Sequence, residues 1–108
     1  MICHYTHLVS EIRSYPTADG YADKEAYQAI VNVVWISDIK VILRGANGKI
    51  CRRTLIACFS LLWNLGAELI VLTRATGKRM PFGKIVEYGA HEDSWEIDLT
   101  ALKELNLI

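Results

Sequence analysis

A chain of 108 residues, 52% of them apolar, is long enough for one domain that closes its own core without covalent staples. Twelve basic and twelve acidic side chains cancel, so whole-molecule charge selects no partner, and three cysteines without a C-x-x-C exclude a disulfide framework. The strongest apolar stretch, residues 55–65, is far short of the roughly 20 residues of a membrane span, and residues 1–10 lack the basic and apolar regions of a secretion signal, so a single cytoplasmic domain is expected.

Residues 8–15 alternate as a strand does, and residues 16–24 hold Pro16, Gly20 and two aspartates, which predicts a loop. Residues 26–36 are rich in Val, Ile, Tyr and Trp and predict a long strand. Ser37 and Asp38 make a hairpin turn, and residues 39–44 return as a third strand with Ile39, Val41 and Leu43 on one face. Gly45-Ala46-Asn47-Gly48 is the strongest turn signal, because Asn-Gly accepts positive φ at low cost. A helix over residues 49–65 follows, closed by Gly66. It is apolar nearly all round, which predicts burial on more than one face. Residues 68–73 are a short apolar run, expected as a buried central strand. A basic loop follows over residues 74–80. Pro81 is expected to open a short helix to Tyr88 that Gly89 ends. Residues 94–99 alternate as a last strand, and residues 101–107 suit a terminal helical turn. The expected class is α+β, with a mixed, mainly antiparallel sheet in the order β-β-β-α-β-α-β.

The zero net charge hides an uneven distribution. Residues 40–86 hold nine of the twelve Lys and Arg and a single acid, Glu68, whereas residues 87–108 hold six acids and one base. Arg44, Lys49, Arg52 and Arg53 crowd the predicted helix start, where the dipole already places partial positive charge and acids are the usual occupants. A bound anion would offset that repulsion, because free backbone N–H groups and the dipole both favour it there. Arg44, Gly45, Asn47, Gly48, Lys49, Arg52 and Arg53 are therefore the candidate binding residues. The bland alternative is that these cations reach solvent or pair with the acidic end. The spacing fits neither a P-loop nor a dinucleotide fingerprint.

From Val41 through Trp95 the chain resembles the core of the GNAT N-acetyltransferases. In that family a strand ends in an R-G-x-G-x-G/A turn that opens a helix, whose N-terminus holds the coenzyme A pyrophosphate. Arg44-Gly45-Ala46-Asn47-Gly48-Lys49 occupies that place here. Leu61-Leu62, Leu65-Gly66-Ala67 and Ile70-Val71-Leu72 look like the family's helix, its end and the next strand, and residues 82–90 like its next helix. The resemblance implies acetyl-CoA as cofactor and a cleft between the strand ending at Arg44 and that at residues 69–73. The pattern departs in three places. The second glycine falls one position late, Ile85 stands where the family often carries an acidic Tyr, and residues 39–43 offer no carboxylate base. The resemblance therefore implies the fold without the catalysis.

Cys3, His4 and His7 lie close together but lack zinc spacing and read as strand residues. Cys51 and Cys58 are seven apart on one helix face, with Cys58 in the core and Cys51 open to a lowered pKa. Trp35, Trp63 and Trp95 are expected as core or interface anchors. Three functions follow in order: a GNAT-like binding or assembly protein that self-associates or docks a protein partner, of viral or mobile-element origin; a minimal acetyl-CoA-dependent N-acetyltransferase; and a nucleic-acid binder using the basic middle, in which the loop with Arg74, Lys78 and Arg79 could touch phosphates.

Overall fold

The computed structural model describes residues 9–15 and 28–108. In chain order these form β1 (Val9–Ser14), β2 (Ala29–Trp35), β3 (Lys40–Gly48), α1 (Arg52–Asn64), β4 (Leu69–Ala75), β5 (Lys84–Glu87), β6 (Glu92–Asp98) and α2 (Leu99–Glu104). The strands make one six-stranded sheet in the order β1-β2-β3-β4-β6-β5. Only β3 and β4 run parallel, joined by α1 as the crossover helix; every other pairing is antiparallel. The α+β class and the mixed, mainly antiparallel sheet agree with the sequence reading. The loop expected over residues 16–24, the first residues of the expected long strand, and Cys3, His4 and His7 lie outside the described residues.

One sheet face carries the core. Val33, Val41, Ile70 and Ile97 are essentially inaccessible, and Leu72 and Trp95 continue the row across β4 and β6. α1 lays Phe59 and Leu62 onto this face. The Phe59 ring meets that of Phe82 edge-on, with centroids 6.3 Å apart and planes at 81°, the arrangement that aligns a ring edge with the partner's π face. α1 ends in a Schellman motif. Gly66 takes φ 103°, its N–H donates to Trp63 O at 3.0 Å, and the Ala67 N–H donates to Leu62 O at 2.9 Å.

Three expectations need correction. First, α1 buries a single face. Leu61 and Leu65 are 44% and 61% exposed, because no described element packs over its outer side. Second, Ile39 does not share a face with Val41. It belongs to the β2–β3 turn, where its N–H reaches Ser37 Oγ at 3.3 Å, and it is 49% exposed. Third, residues 84–87 form β5 rather than a helix. Phe82 adopts φ 66° directly after Pro81, which stops helical propagation at its first turn. The branched pair Ile85-Val86 then suits a strand. Gly89 does not cap a helix. A Cβ there would fall 2.0 Å from Glu92 O, so this glycine permits the close β5–β6 connection, where its N–H donates to Asp93 Oδ1 at 3.3 Å. The order along the chain is therefore β-β-β-α-β-β-β-α. α2 starts earlier than expected because Asp98 caps it, accepting from the Ala101 N–H at 3.1 Å.

Candidate functional site

The glycines after Arg44 do not make a turn. β3 continues through Gly48, which pairs with Ala29 of β2, and Asn47 pairs with Ile30. Between the pairs Asn32–Arg44 and Ile30–Asn47, β3 holds two residues, Gly45 and Ala46, against Val31 alone. This is a β-bulge with glycine in the left-handed region, at φ 62°. Gly48, at φ 101°, lets β3 press against β2: a Cβ there would lie 2.2 Å from Gln28 O. The positive-φ signal of Gly-Ala-Asn-Gly is thus spent inside a strand, and the helix begins later, at Arg52.

Cys51 is the N-cap of α1. No side chain makes a capping hydrogen bond of good geometry, and no acid occupies the first turn. The N–H groups of Arg52, Arg53 and Thr54 lack intrahelical acceptors, as in any first turn. The exposed Cys51 thiol is held below its ordinary pKa, chiefly by the Thr54 hydroxyl, whose Oγ1 stands 3.4 Å from Sγ, and then by the backbone N–H groups around it. Cys58, one face-repeat further on, is pushed up to about 11 by burial.

The parallel strands part next to this helix start. β3 and β4 are in register only over Lys40–Leu69, Val41–Ile70 and Ile42–Val71. Beyond that point β3 follows β2 and β4 follows β6. A cleft of about 510 Å³ opens where they part. Leu43 and Leu72 line it from the two diverging strands, and Leu55 and Cys58 line it from α1. Ile12, Ala29 and Val31 extend it across β2 to β1, and Met80 and Pro81 bound another side. The cations on its lining are Arg44, Arg52 and Arg74.

The structure therefore divides the candidate residues. Arg44, Gly45 and Arg52 line the cleft, whereas Asn47, Gly48, Lys49 and Arg53 do not. Among the described residues, none of Arg44, Lys49, Arg52 and Arg53 forms an ion pair with a carboxylate; the ion pair present joins Arg13 and Glu11 on β1. The guanidinium of Arg52 sits 4.8 Å from the centroid of the Phe82 ring, which orients it by cation–π attraction. Arg74, read from sequence as part of a basic loop, belongs to the end of β4. Its Nη1 donates to Arg79 O at 2.6 Å, which fixes the side chain. A rule available in advance would have found it: ligands of open sheets bind beyond the carboxyl ends of parallel strands, where Arg74 stands. Among the described residues no carboxylate or histidine lines the cleft, and no cluster suited to a metal ion occurs. No described helix is long and apolar enough to cross a membrane.

No family model matches the sequence, and no curated protein matches it. Among solved structures the chain is similar to the PaiA N-acetyltransferase from Thermoplasma acidophilum in complex with coenzyme A, with a TM-score of 0.56 and 10% sequence identity. The match covers 74% of this chain and 65% of that one, so the chain spans less than two thirds of that protein's length. Identity this low speaks to fold and not to activity. The chain has a GNAT-like α+β fold.

Proposed function

We propose that this chain is a GNAT-like domain that binds a coenzyme A thioester in the cleft between β3 and β4. The observation that carries the reading is the parting of two parallel strands beside an uncapped helix start, with Arg44, Arg52 and Arg74 on the lining. A pyrophosphate suits the start of α1, where Arg52 and the first-turn N–H groups stand, with Arg44 and Arg74 on the same lining. A pantetheine arm carries amides, and the strand segments after Ile42 and Val71 offer backbone groups that no β3–β4 ladder uses. The thioester, when bound, supplies an activated acyl group.

Binding is the role the site supports. Acyl transfer to an amine needs a base within reach, and the described lining offers only thiols, hydroxyls and guanidiniums. Isothermal titration of the chain with coenzyme A and acetyl-CoA tests this. Saturable binding that is lost on Arg44→Ala with Arg52→Ala is expected. Absence of binding, or binding indifferent to both substitutions, rejects the reading. Incubation of the complex with polyamines and free amino acids then asks whether acetyl is transferred. Turnover would establish the enzyme reading instead.

A further inference from the structure

We infer that the acyl group this cleft accepts is a hydrocarbon chain longer than acetyl; the inference rests on the coenzyme A reading above and specifies its ligand. A pantetheine arm between β3 and β4 would leave uncovered, among the described residues, the part of the cleft under β2 and β1. Val31 on β2 lies one strand spacing from β3 and Ile12 on β1 two, about 5 Å and about 10 Å at the usual 4.8 Å per strand. The walls of that part are mostly apolar: Ile12 of β1 stands directly opposite Val31 of β2, Ala29 and Leu55 line the same space, and Ser14 opposite Ala29 adds one hydroxyl. Paired residues of antiparallel strands project on the same face, so Ile12 and Val31 present one continuous hydrocarbon surface. Arg44, Arg52 and Arg74 stand on the same lining, at the β3 bulge, the start of α1 and the end of β4. The cleft thus combines three cations with an apolar surface, matching an anionic carrier with an apolar tail. A two-carbon acyl group would leave the Ile12–Val31 surface uncovered.

The test is a chain-length series by isothermal titration on the full chain, using coenzyme A, acetyl-CoA, butyryl-CoA, hexanoyl-CoA and free hexanoate. Complete burial of each methylene tightens binding about four-fold, the equivalent of ~0.8 kcal/mol. An overall gain of at least about ten-fold from acetyl to hexanoyl is expected, since burial need not be complete. Equal affinities for coenzyme A, acetyl-CoA and hexanoyl-CoA would overturn the long-chain inference and leave the coenzyme A reading standing. No binding of any thioester would reject both. Free hexanoate binding as tightly as hexanoyl-CoA would also overturn it, because the carrier would then contribute nothing. Two substitutions locate the tail. Ile12→Asn, at a half-buried edge position, and Val31→Thr, nearly isosteric, should each bring the hexanoyl-to-acetyl affinity ratio toward one. An unchanged ratio in both folded variants, judged by thermal melting, places the tail elsewhere and refutes the assignment.

Discussion

The two described cysteines sit seven residues apart on one helix and differ in chemistry because one touches water and the other the core. Cys51 should be alkylated first by iodoacetamide at neutral pH, and peptide mapping should find Cys58 protected in the native state. Thr54→Val should slow the reaction at Cys51, since it removes the hydroxyl that stabilises the thiolate. Cys58 also makes stability depend on pH. Its folded pKa lies above the ordinary 9.0, so the contribution is fully present below pH 9 and is lost as pH rises toward 11, where the unfolded thiol ionises first. Urea titrations between those values should lose about 2 to 3 kcal/mol through this group, and Cys58→Ala should lack that loss. The glycines separate in the same way by what surrounds them. A Cβ on Gly48 meets backbone at 2.2 Å and 2.8 Å, which cannot yield, whereas one on Gly45 meets the Asn32 amide at 3.3 Å, which can. Gly48→Ala should therefore cost more than about 3 kcal/mol and Gly45→Ala about 1 to 2 kcal/mol, chiefly for its positive φ. Equal costs in denaturant melts would contradict the bulge geometry.

At the scale of elements, α1 was legible from its apolar run and Gly66, and β2, β3, β4 and β6 from their alternation and Ile-Val-Leu content. The failures have specific causes. Gly45 and Gly48 take their positive φ inside strand backbone, Gly45 in the bulge and Gly48 where β3 presses on Gln28, and a glycine-rich turn signal does not distinguish these uses from a turn. Pro81 suits a first helical turn, yet Phe82 leaves the right-handed region at once, and tertiary contact with Phe59 and Arg52 holds it there. Of the cations on the cleft lining, the helix start singles out Arg44 and Arg52 in the sequence, whereas Arg74 reads there only as part of a basic loop, because its place on the lining depends on where β4 ends relative to β3. The start of α1 also predicts a stability change. Arg53 is exposed, stands off the lining of the β3–β4 cleft and opposes the dipole. Arg53→Asp should stabilise the unliganded chain by about 0.5 to 1 kcal/mol, visible as a rise of a few degrees in Tm. A fall would mean that Arg53 makes a favourable contact that outweighs the dipole.

Over the whole molecule, charge and fold are separated in a way the composition conceals. The basic middle of the sequence supplies β3, the start of α1 and the end of β4, and the acidic end supplies β6 and α2. The two do not neutralise each other through ion pairs among the described residues, although β4 and β6 are neighbours and Arg74 is paired in register with Asp93. Asp93 instead accepts from the Gly89 N–H, and Arg74 donates to Arg79 O. Folding stability then rests on the apolar face of the sheet, while cationic repulsion around the cleft remains for a ligand to relieve. Salt should divide these contributions. The Debye length falls from about 10 Å at 0.1 M to about 3 Å at 1 M, so added KCl screens charges across the cleft while barely weakening burial. The unliganded Tm should hold or rise over that range, because screening removes repulsion and the exposed Arg13–Glu11 pair contributes little. Coenzyme A affinity should fall several-fold over the same range, along with the thermal stabilisation that bound ligand confers. A Tm that falls steeply with salt would mean that ion pairing, not the core, holds the fold. Affinity that ignores salt would remove the phosphate from the neighbourhood of Arg44, Arg52 and Arg74.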